Sequence, residues 1–145
     1  MPDMQQLPPL LGAFGLGCAF VIYLLLTRRP AGEGKVLKIA AAIHLGAMVF
    51  LQREYKMLAL FAAVLIALLW YFLGGSTALA FLCGAACSAL AGWRGMYAAT
   101  KANVRTTTAA HTQGAAAALS VAFYGGSIMG LCVASLGLLG LGSLY

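Results

Sequence analysis

Residues 95–114 read GMYAATKANVRTTTAAHTQG and stand between two long apolar runs that hold hardly a charge. Lys101, Asn103 and Arg105 gather here, followed by Thr106, Thr107 and Thr108. The surrounding composition decides what this polar stretch is. Of the 145 residues, 63% are hydrophobic and 8% charged, against about 45–50% and about 25% in a soluble domain. The chain therefore reads as an all-α, polytopic membrane protein, and residues 98–114 as a polar connection between two of its spans.

A hydrocarbon core about 30 Å thick takes about 20 helical residues to cross, so the length admits four spans and no soluble domain. Outward from the polar stretch, the third span covers residues 76–97 and the fourth 115–141. The first, 10–26, opens on Pro8 and Pro9, which suit a first helical turn where an N–H has no partner anyway. It ends in TRRPAGEG, whose Pro30, Gly32 and Gly34 make a flexible connection. Residues 36–52 follow with Val36, Ile39, Ile43, Ala47 and Phe50 at spacings of three or four, interrupted by Lys35, Lys38 and His44. That pattern predicts a separate amphipathic helix, at the interface or against neighbouring helices. The second span, 57–73, begins after Arg53-Glu54-Tyr55-Lys56, closes in Trp70, Tyr71 and Phe72 at headgroup level, and turns through LGGST into the third. The N-terminus has Asp3 in place of the basic region of a signal peptide, so the first run is a retained span.

If the spans alternate, Arg28, Arg29, Lys35, Lys38, Arg53 and Lys56 lie on the same side as Arg94, Lys101 and Arg105. All nine basic residues then face one compartment. The positive-inside bias makes that compartment the cytoplasm and places both chain ends outside it. The net charge of +6 is accordingly a topology signal, and nucleic acid is not a partner. Arg94, near a helix end, snorkels to the boundary, since mid-bilayer placement costs at least about 2.5–3.5 kcal/mol. Gly84, Ser88 and Gly92, and likewise Gly126 and Gly130, recur every four residues. Such faces let helices approach closely in lipid, and packing is a better account of them than pore lining.

No residue earns a catalytic, cofactor-binding or metal-binding role. The carboxylates are Asp3, Glu33 and Glu54, none well inside a span, and Glu54 is expected to pair with Arg53 at the membrane edge rather than relay protons. Ser120 and Ser127 are isolated hydroxyls. His44 and His111 have no carboxylate or cysteine neighbour and read as solvated or interfacial. Cys18, Cys83, Cys87 and Cys132 sit in apolar runs as packing residues, and Cys83 with Cys87 lacks the further ligands of a zinc site. No phosphate-binding glycine loop is present.

Three segments taken together, FLQREYKMLALF, GMYAATKANVRTTTAA and VAFYGGSIMGLCVASLGLLGLG, resemble the N-terminal part of the membrane-bound, ion-translocating inorganic pyrophosphatases. The family's R-E-Y, A-N-V-R-T and A-F-x-G-G-x-x-M-G-L patterns fall at Arg53–Tyr55, Ala102–Thr106 and Ala122–Leu131. The likeness runs from about Lys35 to Leu141. It implies a large helical pump, working as a homodimer in a lipid bilayer, in which cytoplasmic pyrophosphate hydrolysis drives protons or sodium ions outward. It implies Mg2+ as cofactor of the complete pump, with its ligands on helices this chain lacks. The membrane would be the inner or plasma membrane of a bacterium, or an acidic organelle or vacuolar membrane of a eukaryote. The present helices resemble the outer ring, with the remaining helices of the pump as partners and no activity of their own. In that frame residues 98–114 become a cytoplasmic connection followed by a polar extension of the fourth helix, which Asn103 and Arg105 tie to neighbouring segments by hydrogen bonds. Arg94 departs from the apolar residue more usual there. The ending GLLGLGSLY, without a polar tail, reads as a truncated product, a split subunit or an incompletely read gene. The competing expectation is a stand-alone four-helix protein, either a small transporter or an assembly or scaffold factor. A small multidrug exporter would carry a carboxylate in its first span, and this chain has none there.

Overall fold

The computed structural model describes residues 7–142 as four α-helices: α1 (Leu7–Thr27), α2 (Lys35–Leu73), α3 (Gly75–Gln113) and α4 (Ala115–Gly142). Asp3 lies outside the described residues. All four helices are long and apolar enough to cross a membrane. At about 1.5 Å per residue α1 is about 31 Å long, close to one hydrocarbon thickness. The 39-residue helices α2 and α3 reach about 58 Å, so each extends well past it.

Two of the expected boundaries are not breaks in the helices. The amphipathic segment 36–52 and the span 57–73 are one continuous helix, α2. Between them lie Gln52, Arg53, Glu54, Tyr55 and Lys56, mostly good helix formers with no proline or glycine to stop the turn. The polar stretch 98–113 is likewise a continuation of the third helix, not a connection and not an extension of the fourth. Its threonines are compatible with helix because each hydroxyl donates to the carbonyl four residues back: Thr106 to Ala102 at 3.0 Å, Thr107 to Asn103 at 3.1 Å and Thr108 to Val104 at 3.0 Å.

Real turns occur at Gly74 (φ 94°) and Gly114 (φ 89°), each a single residue between two helices. Positive φ at these points is steeply unfavourable for residues with a Cβ, and glycine alone reverses the chain there without strain. The resulting hairpins stack α2 on α3 and α3 on α4. α1 packs chiefly on α4, touches α3 slightly and does not contact α2. The lateral order is therefore α2, α3, α4, α1, and the linker 28–34 crosses the α3–α4 end to connect the two outermost helices. That end also carries Lys101 and Arg105 and is termed the basic end.

The core is built from small side chains: Ala19, Ala98, Ala102 and Ala109 are buried with Leu26, Val121, Ile128 and Cys132. Alanine brings backbones close enough for dispersion contact, the main source of helix association where water supplies no hydrophobic drive. The glycines in these close contacts are not the ones with the regular four-residue spacing. A Cβ on Gly12 would stand 2.7 Å from the Ser135 carbonyl oxygen, one on Gly95 2.8 Å from Met129 Cγ, and one on Gly125 2.5 Å from Ala102 Cβ. Among the described residues, Gly84, Gly126 and Gly130 face open space, and only Gly92 of that set has a close neighbour, the Tyr55 hydroxyl. The apolar half of α2 is still more open: Met57 is 76% exposed, Leu60 71% and Tyr71 82%.

Candidate functional site

The polar cluster at the basic end is centred on Arg105. Its position on α3 sets the guanidinium beside the last turn of α1, and its five donors in a rigid fork suit several acceptors at once. Nη1 donates to Lys101 O at 2.9 Å, Nε to Arg29 O at 3.1 Å and Nη2 to Thr27 O at 3.3 Å. A helix C-terminus exposes unpaired carbonyls and the negative end of its dipole, so a cation there is favourable twice over. The Arg29 amide donates to Leu26 O at 3.0 Å and the Thr27 hydroxyl to Leu24 O at 2.9 Å, completing the cap. The linker then passes Gly32 against α3, where a Cβ would lie 2.7 Å from Thr108 Oγ1. Arg105 thus joins α1, the linker and α3. Asn103, expected to share this role, is exposed, and its side chain makes no hydrogen bond among the described residues.

The Arg53–Tyr55 segment performs a second joining role. The Tyr55 hydroxyl donates to Ala89 O on α3 at 2.7 Å, over the gap left by Gly92. The expected Arg53–Glu54 ion pair is not formed, and both residues are exposed. Successive helical residues point about 100° apart and do not face each other. Tyr55→Phe keeps the ring and removes one hydrogen bond, which should cost about 1 kcal/mol. The expected readout is a lower thermal midpoint of the purified chain in detergent, with helical content unchanged.

His44 is not a solvated histidine. It is half-buried between α2 and α3, its Nδ1 2.7 Å from Thr100 Oγ1 and its ring edge-on to Tyr97 with centroids 5.3 Å apart. Thr100 Oγ1 also lies 3.0 Å from Tyr97 O, so the imidazole is linked through this hydroxyl to the α3 backbone. Lys101 Nζ stands 5.6 Å from the centroid of the same Tyr97 ring. His111 is exposed near the end of α3. Sequence spacing gave no sign of the His44–Thr100 contact, because it depends on the exact register of two long helices.

Among the described residues, no three His, Cys, Asp or Glu side chains come together as a metal site. Glu33 in the linker and Glu54 on α2 are each exposed. Mg2+ takes carboxylate oxygens and substrate phosphates in octahedral array, and this donor set does not fit it. The cysteines are free, with Cys132 buried and the others half-buried.

These features define a four-helix membrane unit whose polar residues fasten helices to one another. Residues 13–145 match the family described as Inorganic H+ pyrophosphatase, and the chain belongs to that family. It is 43% identical over 148 residues to a K(+)-insensitive pyrophosphate-energized proton pump 2 of Moorella thermoacetica, covering 97% of this chain and 21% of the relative. It is 41% identical over 140 residues to a K(+)-insensitive pyrophosphate-energized proton pump of Methanosarcina mazei, covering 94% and 21%. With a K(+)-stimulated pyrophosphate-energized sodium pump of Thermotoga maritima it shares 43% over 131 residues, covering 90% and 18%. The chain spans about a fifth of the length of the curated relatives it matches.

Proposed function

We propose that these four helices form part of the outer wall of a pyrophosphate-energised ion pump. In this reading the wall supports a hydrolytic centre built on other helices, which hold Mg2+ and pyrophosphate, and the complete pump is a homodimer. The observation that carries it is the use made of the family-like segments. Tyr55, Arg105, and Ala102 against Gly125 all join helix to helix. None of them is assembled with carboxylates into a site for phosphate or metal. The open faces at Gly84, Gly126 and Gly130, and along the second half of α2, supply contact area for further helices. Proton and sodium pumps match at similar identity, which supports a structural role common to both. The basic end is cytoplasmic on this reading, following the charge bias.

Complementation tests the reading. The chain is co-expressed with the Moorella pump lacking the region that this chain matches, and inverted vesicles are assayed for pyrophosphate cleavage and ion uptake. Both activities are expected only with the two pieces together. Cleavage by this chain alone, or a correctly assembled but inactive pair, overturns the reading. A single cysteine at Lys101 should react with a membrane-impermeant maleimide in inverted vesicles and stay unlabelled in intact cells. The opposite pattern reverses the topology.

A further inference from the structure

Arg94, exposed on α3, has a distinctive setting. It lines a groove of about 390 Å³ between α1, α3 and α4. One end of the groove, toward the membrane interior, is formed by Leu16, Leu90 and Leu136. The other, toward the basic end, is formed by Tyr23 and Tyr97. Neither the Arg94 guanidinium nor the Tyr23 hydroxyl has a hydrogen-bond or ion-pair partner among the described residues. Lys101, one turn beyond Tyr97, brings a second cation to that end.

The level of the groove follows from the α2–α3 register. The Tyr55–Ala89 hydrogen bond sets Arg53-Glu54-Tyr55-Lys56 alongside Ala89–Trp93. Charged and aromatic side chains from two helices thus mark one level, as they do where a bilayer meets water. At that level a long cation reaches for the headgroups while its stem stays in apolar surroundings. A guanidinium forks onto two phosphate oxygens with matched geometry, and tyrosine hydroxyls donate to the same group.

We infer that this groove is a binding site for an anionic phospholipid: Arg94, with Tyr23 and Tyr97, holds the phosphate, and an acyl chain lies along Leu16, Leu90 and Leu136. Charge complementarity selects the occupant, because an unpaired cation at the mouth of an otherwise apolar groove matches a ligand with one anionic group and a hydrocarbon tail. The groove is lined by residues of this chain alone.

Native mass spectrometry of the delipidated 145-residue chain, titrated with dioleoylphosphatidylglycerol or dioleoylphosphatidylcholine, tests it. The first glycerol lipid is expected to bind about tenfold more tightly than the choline lipid. Arg94→Leu should abolish that difference with helical content unchanged, Arg94→Lys should keep part of it, and Arg53→Leu should leave it intact. Equal binding of the two lipids, or a preference that survives Arg94→Leu, overturns the proposal. So does a photocrosslinker at Phe20 that, in the complemented pump, captures a protein helix in place of lipid.

Discussion

Replacing Arg105 by alanine is expected to destabilise the four-helix unit by about 2–3 kcal/mol and to free α1 before any other element. The expectation rests on three hydrogen bonds from one cation, two of which end on Thr27 and Arg29, outside the helix that bears it. Bonds from charged groups are worth about 1.5–3 kcal/mol each when well buried, and the partial exposure of all three discounts their sum to about 2–3 kcal/mol. Arg105→Lys should recover little, because a single ammonium cannot reach three divergent carbonyls. Hydrogen exchange at residues 24–29 measures the local effect, and thermal unfolding in detergent the global one. In a complemented pump the same substitution should reduce assembled protein far more than affinity for pyrophosphate. Unchanged exchange in the last turn of α1, or a loss confined to substrate affinity, would remove Arg105 from its joining role.

The second large effect is a contrast between adjacent glycines. Gly125→Ala places a methyl 2.5 Å from Ala102 Cβ, and two helix backbones must part to admit it. Overpacking of this kind costs about 1–3 kcal/mol. Gly126→Ala meets nothing within 4 Å and should stabilise the isolated chain by up to about 1 kcal/mol through helix propensity. Thermal midpoints of the two variants should therefore move in opposite directions. Repeating the pair in the complemented pump extends the test: Gly126→Leu should impair assembly there while leaving the chain alone unharmed, if further helices cover that face. Equal tolerance in both settings would argue against a wall buried by neighbours.

Much of the fold was legible in the sequence because hydropathy and charge are local quantities. Four apolar runs, the turn at LGGST and the gathering of basic residues near one end all follow from short windows. Helix length beyond the bilayer did not. Lys101, Asn103 and the three threonines look like loop residues by composition, yet their hydroxyls bond back to the helix that carries them. Contacts between helices were less legible again. A four-residue glycine repeat identifies a face but not its partner, so Gly126 and Gly130 drew attention while Gly12 and Gly125 make the close approaches. Arg105 was singled out with Asn103 as a tie, and only the register of α1 against α3 separates the two.

The order α2, α3, α4, α1 has a consequence for biogenesis. α1 leaves the ribosome before α4, its principal neighbour, with α2 and α3 made in between. At roughly 5–20 residues per second, α1 waits several seconds in the bilayer before Ala115–Gly142 is available to receive it. During that interval Gly12 and Gly15 present an unoccupied docking face to every other nascent helix nearby, and the short tether after Thr27 keeps α1 within reach of its rightful place.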